Sequence, residues 1–167
     1  MLSENPDVQL GNDEGTAGVI ARPPVLFLTA LLLGRALDHF LPLPVSVATA
    51  GPVAWVIGGL LALVGLTFAS AGIRNFSRAA TPVPTTQPVR ALVTTGIHGR
   101  TRNPIYVGMF LLYAGIGIAG RSPWTLLLEL PVAITMRYGV VAREESYLDR
   151  RFGDVYRDYK TRVPRWL

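Results

Sequence analysis

The sequence predicts an all-α integral membrane protein with four transmembrane helices and a C-terminal cytoplasmic amphipathic helix. Three observations predict it. Half of the 167 residues are hydrophobic and 16% are charged, against about a quarter charged in soluble domains. Four apolar windows reach or approach the roughly 20 residues that a helix needs to cross a hydrocarbon core about 30 Å thick. The chain has no cysteine and two histidines, His39 and His98, which excludes a disulfide scaffold, an iron–sulfur cluster and a thiolate zinc site; no metal spacing is present.

Residues 1–22 are polar and acidic, with Glu4, Asp7, Asp13 and Glu14 against Arg22. They lack the basic start and immediate apolar run of a signal peptide and are expected to form a disordered, exposed tail. The remaining residues, 23–167, form one domain. Its helices are expected at about 23–43, 48–72, 104–120 and 124–142. Prolines at or near the window ends are tolerated because the first turn of a helix has no use for that N–H. Pro131 lies inside the fourth window and should kink it. Backbone facing lipid must bond internally, so these windows are helices and not open strands.

Orientation follows from arginine and lysine. Twelve of the sixteen basic residues lie between 73 and 103 or after 142, and the net charge is +5. The loop between the second and third helices and both termini are therefore expected on one side, the cytoplasm, of a bacterial inner membrane. Such a surface faces lipid headgroups, and no nucleic-acid partner is expected. Among charges within the windows, Arg35, Asp38 and His39 have helical spacing and can neutralise one another. Glu129 sits close to an interface. Arg137 reads equally as a functional group or as a side chain reaching the cytoplasmic headgroups.

The loop 81–103 holds Pro82, Pro84 and Pro88, then a β-branched run ending at Gly96. Connections of this length are usually functional or disordered, and its second half is too apolar for simple disorder. A loop docked on the membrane or over a pocket fits. Arg102-Asn103-Pro104 stands directly before a helix, with Asn103 suited to cap it and free N–H groups suited to an anion. The terminal segment 143–163 repeats Leu148, Phe152, Val155, Tyr156 and Tyr159 near a 3.6 period, with a break expected at Gly153. Glu144 and Glu145 interrupt its basic surface. They are either solvated beside Arg143 or Arg150, or one of them binds a ribose diol or a cationic ligand.

Taken in order, Leu92-Val93-Thr94-x-Gly96, Arg102-Asn103-Pro104-x-Tyr106-x-Gly108 and Glu144-Glu145-x-x-Leu148-x-x-x-Phe152-Gly153-x-x-Tyr156-x-x-Tyr159-x-x-x-Val163-Pro164 resemble the isoprenylcysteine carboxyl methyltransferase and phospholipid N-methyltransferase superfamily. The likeness covers roughly residues 74–167; each fragment alone would be weak. It implies S-adenosylmethionine as cofactor on the cytoplasmic side and a lipophilic acceptor entering from the bilayer. It further implies that Arg102, Asn103, Pro104 and Tyr106 line the cofactor pocket, that Leu92, Val93, Thr94 and Gly96 supply backbone contacts, and that His98 belongs to the same loop. Glu144 and Glu145 match the paired acids associated with cofactor binding, and Tyr156 and Tyr159 would close the pocket from below.

The chain departs from the pattern at Ile97-His98-Gly99-Arg100, where Pro-Tyr-x-Tyr is common. Gly115 and Gly117 resemble a cofactor motif of the phospholipid branch but read more readily as packing positions. Methyl transfer from a sulfonium needs positioning and exclusion of water more than a metal or covalent nucleophile, so no metal is expected. An anionic acceptor would need a cation, Arg102 or Arg137; an amine would need its proton removed, with Glu145 as acceptor. Two competing expectations are a non-catalytic membrane scaffold of the same fold and an NADPH-dependent enzyme like the membrane sterol reductases.

Overall fold

The computed structural model describes residues 15–44, 51–83 and 87–167. Its helices are α1 (Pro23–Phe40), α2 (Gly51–Arg78), α3 (Pro104–Ala119), α4 (Pro123–Thr135) and α5 (Ala142–Arg162), with a 3₁₀ turn at Gly96–Gly99 and a π-helical turn at Met136–Val141. No strand occurs among the described residues. Proline opens α1, α3 and α4 at the first helical positions, where its fixed φ favours the helix.

Two helical runs, Gly51–Arg78 and Pro123–Arg162, are long and apolar enough to cross a membrane by length and composition. Helix α3 is apolar but has 16 residues, and the last turns of α1 carry Arg35, Asp38 and His39. Leu28, Leu32, Leu33, Trp55, Leu60 and Leu63 leave the outer faces of α1 and α2 uncovered and hydrophobic.

Helices α2 and α3 approach most closely. Gly58, Gly65 and Gly72 recur every seven residues along α2, and Gly108 and Gly115 do the same on α3. A Cβ at Gly65 would lie 2.6 Å from the Gly108 carbonyl oxygen, and one at Gly58 would lie 2.5 Å from that of Gly115. The backbones therefore touch where side chains would separate them, the usual way that helices lacking a hydrophobic drive gain packing. Gly59, which shares the composition, faces open space. Gly115 and Gly117 are packing positions: the second meets Leu126 and Thr125. On the other side, Phe27 sets its ring edge-on to Phe110 and Tyr113, and with Ala30, Val132, Met136 and Val140 forms the core between α1, α3 and α4.

Asp38 ties the far end together. It accepts hydrogen bonds from Ser122 Oγ and, at 3.4 Å, from Trp124 N, while Arg35 donates to Gly120 O. Ser122 Oγ also caps α4 by accepting from Thr125 N at 3.1 Å.

Several expected boundaries move. Helix α2 runs six residues past the expected end at 72, because Arg74, Asn75, Ser77 and Arg78 are polar without breaking a helix. It stops at a Schellman-type turn: Ala80 takes φ 49°, Thr81 N donates to Phe76 O and Ala80 N to Ser77 O. Its start at 48 lies outside the described residues, as do residues 1–14 of the expected tail. Residues 15–22 are packed, not free: Val19 joins the core, Ile20 N donates to Gly139 O at 3.2 Å, and Arg143 Nη1 donates to Gly18 O at 2.9 Å. The fourth helix does not end at 142. It widens into the π-helical turn beyond Pro131 and continues into α5, so the terminal segment is an extension of it. Gly153 (φ 50°, ψ −126°) supplies the expected break.

Candidate active site

Beyond Arg78 the chain turns back beneath α2 and α3. Thr81 Oγ1 accepts from Ala91 N at 3.1 Å, and Val89 N donates to Tyr147 Oη at 3.2 Å, which lays the loop on α5. Val89 and Leu92, together with Leu148, pack on Phe152, Tyr156, Tyr159 and Val163. The apolar period of the terminal helix thus serves a protein cover as well as any lipid surface.

The 3₁₀ turn is held by the extra length of α2. Asn75 Nδ2 donates to Thr95 O at 2.7 Å and lies 3.4 Å from His98 Nδ1, and Phe76 meets the His98 ring edge-on. Gly96 has φ +60°, and a Cβ there would meet the Asn75 amide. His98 is buried, and burial lowers its pKa to about 4; it is neutral at pH 7. Tyr159 Oη donates to His98 O at 2.6 Å.

The turn before α3 is stitched to the end of the chain. Arg102 N donates to Pro164 O, and Thr101 Oγ1 and Asn103 Nδ2 both donate to Arg165 O. Asn103 therefore spends its side chain on this contact and does not cap α3, a correction to the expected role. The contact wins because it satisfies a carbonyl of an extended segment that has no strand partner.

A cavity of about 140 Å³ lies between these parts. Its wall includes Leu92, Val93, His98, Arg102, Asn103, Pro104, Tyr106, Glu144, Glu145, Tyr156 and Tyr159, eleven of the positions expected at a site from sequence. Thr94 and Gly96 are not part of the wall; they shape the loop behind it. The structure does not bring Arg137 there. Its guanidinium lies 5.2 Å from the ring of Tyr138, itself 67% exposed, because neighbours Met136 and Val140 take the buried side of the π-helical turn.

Polar groups in the wall are arranged in pairs. Arg165 binds Glu145 through Nε (2.8 Å) and Nη2 (2.5 Å), and Arg102 Nη1 lies 2.9 Å from Glu145 Oε1. Hydrogen bonding to Glu145 holds the Arg165 pKa above its ordinary value. Arg102 Nη1 is near but not aligned for donation, and Nε has no acceptor among the described residues. Tyr106 Oη donates to Glu144 Oε1 at 2.6 Å. Burial raises Glu144 to about 7, a shift opposed by the Tyr106 hydrogen bond and reinforced by Glu145. Burial also pushes Tyr159 up to about 12, against the Arg102 charge.

Arg165, Tyr147, Asn75 and Phe76 were not legible as site residues. Tyr147 carries a signal in retrospect, since it stands three residues after Glu144 on the same helix face; Arg165 carries none.

A loop clamped over paired acids at the membrane end of a glycine-packed helical bundle defines an enzyme-like site in an all-helical protein. Residues 53–155 match the phospholipid methyltransferase family, and the chain belongs to that family. Among curated proteins, it is 39% identical over 74 residues to the protein-S-isoprenylcysteine O-methyltransferase of Schizosaccharomyces pombe, covering 44% of this chain and 31% of that protein. It is 37% identical over 73 residues to the nickel-cobalt-cadmium resistance protein NccN of Alcaligenes xylosoxydans, covering 44% of this chain and 34% of that one. A stretch of 27 residues is 63% identical to an uncharacterized protein of Haemophilus influenzae, covering 16% of this chain and 43% of that one. The chain thus aligns with less than half the length of each of these relatives. No solved structure matches it.

Proposed function

We propose that this chain is an integral membrane methyltransferase that uses S-adenosylmethionine to methylate a lipophilic acceptor reaching the site from the bilayer. The observation that carries this reading is the cavity. It collects Arg102, Tyr106, Glu144, Glu145, Tyr156 and Tyr159 from two segments 38 residues apart at their nearest, in a chain of a methyltransferase family.

The residues fit the proposed cofactor. Arg102 Nε is a buried donor without an acceptor and suits an anionic group such as an amino-acid carboxylate. The aromatic wall of Tyr156 and Tyr159 suits an adenine face, and a carboxylate suits a ribose diol or an ammonium. The bound cofactor supplies a methyl group on a positively charged sulfur, so its leaving group needs no further activation. What the chain does is hold and exclude. Arg165 fixes Glu145 with a two-pronged bond, which sets the carboxylate's orientation and position beside Arg102. The loop 87–93 and the ring of Tyr147 keep water from one side.

In this reading α1, α2, α3 and the run beginning at α4 all cross the bilayer, with α3 at 16 residues short enough to require local thinning. The basic loop and both termini share the cytoplasmic side, as the distribution of arginine requires. The uncovered faces of α1 and α2 meet lipid.

Isothermal titration of the detergent-solubilised protein with S-adenosylmethionine and with NADPH tests the cofactor. Binding of the first alone is expected; binding of NADPH alone moves the chain to the reductase reading. Incubating membranes with methyl-labelled S-adenosylmethionine and identifying the labelled species by mass spectrometry identifies the acceptor. If label is transferred to nothing, the scaffold reading stands.

A further inference from the structure

Glu144 and Glu145 are neighbours in sequence and opposites in company. Glu145 receives both available arginines, Arg165 and Arg102. No cation pairs with Glu144 among the described residues. Its Oε1 takes the Tyr106 hydroxyl at 2.6 Å, and its Oε2 takes no hydrogen bond from them. Both Glu144 and Tyr106 line the cavity. A carboxylate held by two guanidinium groups is a poor proton acceptor, because protonation would forfeit two charged hydrogen bonds. A carboxylate with one neutral donor and no countercharge, in a water-poor wall, takes a proton readily.

We propose that Glu144 is the proton acceptor of the methyl-transfer reaction, serving an acceptor that carries its own proton on nitrogen or sulfur, with Tyr106 as its positioning residue. This rests on the methyltransferase reading above. In the step, the acceptor's lone pair forms the bond to the methyl carbon. The carbon–sulfur bond of the methylsulfonium donor breaks, its electron pair staying on sulfur as a thioether. The proton on the acceptor atom passes to the Glu144 carboxylate, which becomes neutral and later returns it to water. A carboxylate acceptor has no proton to give, and its charge would lie against an uncompensated Glu144. The groups facing Glu144 are Tyr106 from α3 and Glu145 on its own helix, the latter offset by Arg102 and Arg165; His98 elsewhere in the wall is neutral. Burial places the Glu144 titration near neutrality, where both protonation states are accessible.

The test uses the full chain in detergent, with wild type, Glu144→Gln and Tyr106→Phe. Infrared difference spectra of the protein without cofactor should show a protonated carboxyl band titrating near pH 7. It should be absent in Glu144→Gln and shifted to higher pH in Tyr106→Phe, which loses the hydrogen bond that favours the charged form. S-adenosylmethionine titration should give affinities within about threefold in Glu144→Gln, while single-turnover transfer to octylamine or octanethiol falls by about 100-fold or more, the usual worth of general base catalysis. Octanoate should not be esterified. A cofactor affinity lost more than tenfold in Glu144→Gln overturns the proposal and makes Glu144 a cofactor ligand. Unchanged transfer in that variant, or esterification of octanoate by wild type, also overturns it. Failure of wild type to bind S-adenosylmethionine overturns the methyltransferase reading itself, a result distinct from these.

Discussion

The α2–α3 seam and the cavity beneath it treat missing volume in opposite ways. In the seam, Gly58, Gly65, Gly108 and Gly115 remove side chains so that backbone fills the space completely. At the cavity, large residues such as Tyr106, Tyr156 and Tyr159 enclose about 140 Å³ without filling it. The seam is apolar and has no alternatives, so its residues are exchangeable only for something equally small. The cavity is lined mainly by apolar side chains, with Arg102, Glu144 and Glu145 set among them, and these charged residues can be changed without removing the glycine contacts that hold the bundle. One region fixes the fold, the other chemistry.

The largest expected effect breaks the first half of this contrast. Gly65→Leu places a side chain where a Cβ already lies 2.6 Å from a carbonyl. It should cost about 3 kcal/mol or more, the upper range for overpacking, and leave little folded protein on thermal unfolding in detergent. Gly59→Leu, six positions away and facing open space, should melt with wild type. Equal losses from both would show that glycine content, and not the seam, is what matters.

Arg102→Ala probes the second half. The variant should insert and melt nearly as wild type, since Arg165 still holds Glu145. It should weaken S-adenosylmethionine binding about tenfold to hundredfold, as expected for a lost charged hydrogen bond of about 1.5–3 kcal/mol. A large fall in melting temperature with unchanged binding would make Arg102 part of the scaffold.

His98 gives a pH test at the border of the two regions. Its folded pKa is lowered to about 4 from 6.5, so the unfolded chain binds the extra proton first. The stability that the neutral ring contributes is fully present above pH 6.5 and is lost as pH falls toward 4. Melting temperature should decline across that window, and less so in His98→Gln. The smallest effect is expected from Tyr159→Phe, which leaves His98 O without its 2.6 Å donor and should cost about 1–2 kcal/mol with cofactor affinity reduced only slightly.

Much of the site was legible because spacing along a helix is itself geometry. Glu144, Glu145 and Leu148 keep their relative positions on α5 whatever packs against it, as do Tyr156 and Tyr159 beyond the break at Gly153, and Arg102 is placed by the proline that opens α3. Legibility failed where a side chain chose among partners. Asn103 looked like a cap and instead holds Arg165 O, and residues 15–22, the end of a tail whose acids all lie before residue 15, found a notch at Gly139 in the π-helical turn. Arg137 was ambiguous because a helix phase near Pro131 cannot be counted without knowing that the following turn widens.

The sequence by itself determined the all-helical class, the apolar runs and the motifs of loop 81–103 and of α5, because composition and period act locally. It also determined that the two acids are adjacent. Only the tertiary structure decided that they are unequal. Arg165 arrives from twenty residues away to claim Glu145, and Tyr106 arrives from α3 to claim Glu144. Burial then raises the proton affinity of Glu144, and burial is a property of the whole assembly that no local pattern contains.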